Sequence, residues 1–156
     1  MSLPTEFIAH PDAVMLDLRA RSGSEAVRIL HRRVAMGTDA VSDPPRFLGD
    51  LLDRMSVAPV CIADDVALPH ARTDAVTRIV FAVARAAEPI AFDPEHPAVR
   101  LVFLIGTPKR AVAEYLQAVA ALSRVLRHAA ARADLLAAAS EAEFRALLAD
   151  GVAARR

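Results

Sequence analysis

Thr77 to Arg85 reads T-R-I-V-F-A-V-A-R, and a second run, Val99 to Ile105, reads V-R-L-V-F-L-I. Both are rich in β-branched and aromatic side chains, the composition of strands. Neither alternates with polar residues. Each is apolar on both faces, as strands are when helices cover both sides of their sheet. Two buried central strands therefore set the architecture, and the rest of the chain is read outward from them. The segment that joins them, E-P-I-A-F-D-P-E-H-P, is turn-rich, with Ile90 to Phe92 as a candidate short extra strand.

Upstream, Val14 to Leu18 alternates and is short, a candidate first strand. In S-G-S-E-A-V-R-I-L-H-R-R-V, Ser22 and Glu25 have capping-box spacing, Val27, Leu30 and Val34 recur at helical spacing, and Gly37 is the stop. T-D-A-V-S-D-P-P breaks regular structure, with Asp43 as N-cap and Pro44 as first helical residue of a second helix. Its stripe is Phe47, Leu48, Leu51, Leu52 and Met55, and it ends before Pro59. A further strand is expected over Cys61 to Leu68. After T-P-K-R a helix runs from about Ala111 to His128, with Tyr115, Val119, Leu122 and Leu126 on one face. Two alanine-rich helices close the chain, the last opened by a capping box at Ser140 to Glu143 and stopped near Gly151. Strands and helices mix without strict βαβ alternation, so the expected class is α/β with a mixed central β-sheet flanked by helices.

The 156 residues are expected to form one domain, with a core from about residue 14 to 151. A hydrophobic content of 54% suffices for a sizeable core, and a net charge of zero removes the electrostatic case for nucleic acid or an anionic membrane. The single cysteine, Cys61, sits in an apolar stretch and reads as a small core residue. The start, M-S-L-P-T-E-F, carries no secretory pattern, and no apolar run reaches the length of a membrane span. A cytoplasmic protein is expected.

Chemistry centres on V-A-L-P-H-A-R, Val66 to Arg72. Pro69 fixes its own φ and biases Leu68 towards an extended backbone, so His70 is placed where a strand leaves the core. Neutral imidazole is a nucleophile that can take a phosphoryl group and pass it on. Arg72 is of the right type to hold phosphate oxygens. Rival uses find no support: no ligand pair has a recognised metal spacing, and no nucleophile elbow, P-loop or dinucleotide-binding glycine motif occurs. No cofactor or metal is expected. On composition and spacing alone, a structural loop histidine outweighs a nucleophile at position 70.

The stretch I-A-D-D-V-A-L-P-H-A-R-T-D-A-V resembles the active-site segment of phosphotransferase-system enzyme IIA domains of the fructose/mannitol class, which includes the nitrogen-regulatory IIA proteins. That family's pattern is close to I-G-x-G-V-A-I-P-H-[AG]-[RK]. L-L-D-R, ending in Arg54, is similar to the family's L-L-x-R-E, and V-R-L-V-F-L-I-G-T-P to its apolar strand ending in proline. The resemblance spans about Val14 to Gly151 and implies the phosphotransferase/anion transport protein-like fold. It implies that His70 accepts a phosphoryl group from an HPr-type phosphocarrier and that Arg54 and Arg72 stabilise the group. It further implies transfer to a IIB component or a regulatory use on a target protein.

Three departures stand against the family pattern. Tyr115 in Y-L-Q-A-V occupies the position of a second histidine, and equally begins a core stripe. Met55 replaces a glutamate after Arg54. Ala63 and Asp65 stand where glycine is preferred, and would be strained if φ there were positive. They motivate an alternative: a degenerate IIA-like interaction module that no longer transfers phosphate, for which a buried His70, or one sealed by Asp65, would be a sign, whereas an exposed His70 with Arg54 or Arg72 in reach would support transfer. Arg54 equally fits a helix-end arginine meeting the last carbonyls, and Arg72 an exposed loop arginine. His10, His31, His96 and His128 read as surface or capping residues.

Overall fold

The computed structural model describes residues 4–154. In chain order the elements are α1 (Pro4–Ala9), β1 (Ala13–Leu18), α2 (Gly23–Gly37), α3 (Pro44–Val57), β2 (Cys61–Ala63), β3 (Val66–Ala67), β4 (His70–Arg72), β5 (Val80–Ile90), β6 (Val99–Thr107), α4 (Val112–Leu126), α5 (Ala129–Ala137) and α6 (Glu141–Ala154). β6 is the hub. It pairs antiparallel with β5 on one side and parallel with β3 and β4 on the other. β1 joins β5 in parallel, and β2 folds back on β3, giving a mixed six-stranded sheet.

The two central strands bury both faces with period-2 alternation. Phe81, Val83, Leu101, Phe103 and Ile105 pack with Ile8 of α1, Leu122 of α4 and Phe144 of α6. Ala82, Ala84, Ala86, Val102 and Leu104 pack on the other face with Val27 and Leu30 of α2 and Phe47 and Leu51 of α3. The second face is lined by smaller side chains along β5, which lets α2 come close. At Gly106 the approach is closer still: a Cβ there would stand 2.5 Å from Cζ of Phe47. α3 lies on the sheet at this point because β6 has no side chain to hold it off.

The expected helix caps are formed. Ser22 Oγ accepts the Glu25 amide at 3.1 Å, and Asp43 Oδ1 accepts the Arg46 amide at 3.2 Å. Ser140 Oγ caps the Glu143 amide at 3.1 Å, while Glu143 Oε2 takes the amide of Ala139 at 2.9 Å rather than that of Ser140.

Several boundaries differ from the sequence reading. Cys61 to Leu68 is a hairpin of two short strands, because Asp64 and Asp65 turn the chain; the Asp65 carbonyl then accepts the amides of Arg100 and Leu101 at 2.9 and 3.0 Å. β5 begins at Val80 and runs on to Ile90, which pairs with Val99 across a register irregularity, so Ile90 to Phe92 is no separate strand. Gly151 does not stop the last helix: Val152 is buried, and its packing carries the helix to Ala154. The short α1 has no counterpart among the expected elements, although Ile8 is fully buried against the same core as α4 and α6.

Two arginines tie distant segments together. Arg78 donates to both oxygens of Asp12 at 2.9 and 3.2 Å, and Asp12 also accepts the Phe81 amide at 3.0 Å, which locks the start of β1 to the start of β5. From β5, Arg85 donates to the carbonyls of Leu135, Leu136 and Ala138 at 3.1, 3.1 and 2.8 Å, satisfying the end of α5. Arg85→Met keeps the aliphatic stem and orphans those carbonyls. It is expected to cost about 1.5–3 kcal/mol, the range for hydrogen bonds to a charged donor, checked by urea unfolding.

Candidate functional site

His70 opens β4, a three-residue strand whose His70, Ala71 and Arg72 align with Ile105, Gly106 and Thr107 of β6. It is therefore part of the sheet and not of a loop. Pro69, buried, hands its carbonyl to the Ile105 amide at 3.0 Å, so the residue before His70 is fixed by the central strand. Ala71 points into the α2–α3 core, which sends His70 and Arg72 to the opposite face.

On that face the half-buried imidazole meets Tyr115 of α4, with ring centroids 5.6 Å apart and planes inclined by 31°. Its Nδ1 lies 2.8 Å from the carbonyl oxygen of Leu68. A carbonyl only accepts, so Nδ1 carries the proton and Nε2 keeps its lone pair. Nε2 makes no hydrogen bond among the described residues. Burial lowers the pKa of His70; the bond to Leu68 works against that, and the positive charge of Arg54 works with it. At neutral pH this is a neutral imidazole with one free nitrogen.

Arg54 and Arg72 both act on this region electrostatically. Burial raises the pKa of Tyr115, and the charges of Arg54 and Arg72 partly oppose the rise, so the phenol keeps its proton at neutral pH. Arg54 also donates from Nη1 to the Ala58 carbonyl at 3.0 Å, so it meets the helix-end carbonyls as well as biasing His70. Arg72 is exposed on β4. His70, Tyr115, Arg54 and Arg72 are thus gathered from β4, α4 and α3. Tyr115 is both things the sequence offered: half-buried against the α4-side core and beside His70.

The departures resolve physically. Neither Ala63 nor Asp65 has a positive φ, so no strain arises from the missing glycines. Asp65 Oδ1 faces Arg132 Nε at 3.2 Å, a charge contact without hydrogen-bond alignment, and so does not close over His70. Met55 packs, half-buried, against the α2–α3 core. One residue escaped the sequence reading. Thr107, paired in register with Arg72, is fully buried, and its hydroxyl has no partner among the described residues. In the sequence Thr107 lies just past the expected strand, Val99 to Ile105, and nothing in its spacing signals burial.

His31 corrects an expectation of surface placement. It is 6% exposed, lies edge-on to Phe47 at 5.4 Å, and donates from Nε2 to the Pro44 carbonyl at 2.9 Å. Burial lowers its pKa, the Pro44 bond opposes this, and Arg32 adds to it. His31 and His70 both bind protons less readily folded than unfolded. Their contribution to stability is full above the unfolded value of about 6.5 and is lost as pH falls through the lower folded values. The urea midpoint is expected to drop between pH 7.5 and pH 5.5, and to drop less in His31→Gln, whose amide can still donate to Pro44. An equal drop in both proteins would remove His31 from this account.

A mixed sheet covered by helices on both faces, with a histidine on a short parallel strand beside its hub, is the fold of phosphotransferase-system IIA domains. The nitrogen regulatory protein IIA-Ntr of Neisseria meningitidis has this fold, with a TM-score of 0.76 and 24% identity over 90% of this chain and 94% of that one. The chain belongs to the family described as the phosphoenolpyruvate-dependent sugar phosphotransferase system, EIIA 2, whose model matches residues 7–151. It is 37% identical over 121 residues to the PTS system fructose-specific EIIA component of Haloferax volcanii, covering 76% of this chain and 78% of that protein. It is 33% identical over 155 residues to the PTS system 2-O-alpha-mannosyl-D-glycerate-specific EIIABC component of Escherichia coli. That match covers 96% of this chain but only 23% of the E. coli protein. Among the described residues no helix is long and apolar enough to cross a membrane.

Proposed function

We propose that this chain is a cytoplasmic IIA phosphocarrier of a sugar phosphotransferase system and that His70 is its phosphoryl acceptor. The observation that carries the reading is the division of labour on the imidazole: Nδ1 is bonded to Leu68, which leaves the Nε2 lone pair as the nucleophile. Nε2 attacks the phosphorus of a phosphohistidine on an HPr-type carrier. The new N–P bond forms as the donor's N–P bond breaks, and the electron pair returns to the donor's imidazole. Positioning and positive charge do most of the work in such transfers. Arg54 and Arg72 supply the charge, and the Tyr115 hydroxyl donates one hydrogen bond to a phosphoryl oxygen. Val112 and Leu116, exposed on α4 on either side of Tyr115, offer a carrier an apolar rim.

The recipient in this reading is a IIB component. The relatives from H. volcanii and E. coli, both named for sugar systems, favour this over a purely regulatory use. The engagement of Asp65 by Arg132 favours transfer over the degenerate interaction module.

The test is phosphoryl uptake. The protein is mixed with enzyme I, an HPr-type carrier and phosphoenolpyruvate, and its intact mass is followed. A gain of one phosphoryl group that acid removes is the expected result. No gain, while the carrier itself becomes charged, sinks the proposal and leaves the interaction module.

A further inference from the structure

Cys61, Asp93 and His96 come together although β2 and the β5–β6 connection are far apart in sequence. One ligand atom from each lies within 4.8 Å of the other two, and all three residues are half-buried. They are the only such group of three among the described residues. None belongs to the region around His70 or does any work in phosphoryl transfer.

We infer that Cys61 Sγ, Asp93 carboxylate oxygen and His96 Nδ1 form a binding site for a divalent transition-metal ion of the zinc type. The donor set excludes the alternatives. A thiolate and an imidazole are poor ligands for magnesium or calcium, which take oxygen, whereas sulfur, nitrogen and oxygen together suit zinc, cobalt or nickel. Thiolate and carboxylate carry two negative charges, which a divalent cation neutralises in a partly desolvated place.

The frame is built before any ion arrives. Asp93 Oδ1 lies 2.8 Å and Oδ2 3.0 Å from His96 Nδ1. Oδ1 also accepts the Glu95 amide at 2.9 Å, while the His96 amide bonds to the Asp93 carbonyl at 3.0 Å. Pro94 and Pro97 stiffen the loop, and the Phe92 amide bonds to the His96 carbonyl at 3.1 Å. The ring of Phe92 fills the space over Gly23, where a Cβ would stand only 2.7 Å from it. Cys61 is held from the other side by β2–β3 pairing with Ala67.

Zinc bonds of about 2.0–2.3 Å in a tetrahedron put neighbouring ligand atoms roughly 3.3–3.8 Å apart. The longest separation therefore needs to tighten by roughly 1.5 Å at most, while the Asp93–His96 pair, at 2.8 Å, opens by about 0.5 Å as the ion replaces their hydrogen bond, both within reach of side-chain rotation. In the metal-free site burial and the charge of Asp93 push the Cys61 thiol up to about 11, so it is protonated. On binding, the S–H proton passes to solvent as the metal–sulfur bond forms. His96 gives up its Nδ1 proton to solvent and takes one up on Nε2, so the ring changes tautomer, stays neutral and offers the Nδ1 lone pair to the metal. An adjoining cleft, lined by Met55, Pro59, Val60, Phe92 and Asp93, opens onto the Asp93 ligand and gives solvent a way to it.

The experiment uses reduced, tag-free full-length chain titrated with Co²⁺, followed by Zn²⁺ displacement. A thiolate-to-cobalt charge-transfer band that saturates at one equivalent and is erased by zinc is expected. Cys61→Ser is expected to lose the band. His96→Ala is expected to weaken cobalt binding by at least about tenfold, the smaller end of what losing even an outer partner costs. Circular dichroism checks that both variants fold, and either one alone suffices to decide. Absence of the band in wild type, or its survival in folded Cys61→Ser, overturns the inference.

Discussion

His70→Ala is expected to keep its unmodified mass under conditions in which the wild-type chain gains a phosphoryl group. The loss is expected to be all-or-none, because no other imidazole is equipped to substitute. His31 is buried, with Nε2 committed to the Pro44 carbonyl. His96 bonds to the Asp93 carboxylate, whose negative charge repels an incoming phosphoryl group. His10 and His128 are exposed and lie in connections, between α1 and β1 and between α4 and α5, and they serve as controls: alanine at either is expected to leave uptake intact. His70→Gln separates chemistry from folding, since its amide can still donate to the Leu68 carbonyl. It should unfold near the wild-type midpoint while remaining unphosphorylated. The linkage is equally specific. Phosphorus is expected on Nε2, and phosphorus–proton correlation spectra that placed it on Nδ1 would falsify the role given to Leu68.

Phe47→Ala is expected to destabilise the fold by about 3–5 kcal/mol, the usual cost of truncating a buried phenylalanine. Phe47 is fully buried, and its ring lies where a Cβ on Gly106 would be. Its loss opens a cavity between α3 and the end of β6, beside the strand that carries His70. At roughly 2–4 °C per kcal/mol for a chain of this size, the melting temperature should fall by about 6–20 °C. Gly106→Ala in the wild-type background should cost about 1–3 kcal/mol by overpacking. In the Phe47→Ala background the same change should cost far less, because the atom it collides with has gone. Additive costs in this double-mutant cycle, read by urea unfolding, would mean that α3 does not rest on Gly106 through this ring.

What was legible in the sequence is what local chemistry decides. Ser22 and Asp43 announce α2 and α3 because a cap needs only a side-chain oxygen and an amide three residues on. The central strands announce themselves because both faces are buried, which leaves unbroken apolar runs. Of the site, His70 was legible through Pro69 and through the family resemblance. Its place on β4 was not, because a three-residue strand has no periodicity and exists only by pairing with β6. The hairpin at Asp64 and Asp65 was missed for a related reason: an apolar stretch on both sides hides a turn made by two residues. Arg85 and the end of α5, the burial of His31, and the meeting of Cys61 with Asp93 and His96 all depend on contacts across the fold. Spacing along the chain carries no trace of them.

The bond from His70 Nδ1 to the carbonyl of Leu68 spans only two residues and is closed by a proline. The tautomer is thus a property of the tripeptide Leu68–Pro69–His70 and not of the groups gathered around it. Neighbours on α3 and α4 can drift without changing which nitrogen is free. A tyrosine in place of a histidine at position 115, or a methionine in place of a glutamate at position 55, alters the surroundings of His70 while leaving its free nitrogen as it was. Charge and contact surface around the imidazole are thereby uncoupled from its protonation pattern.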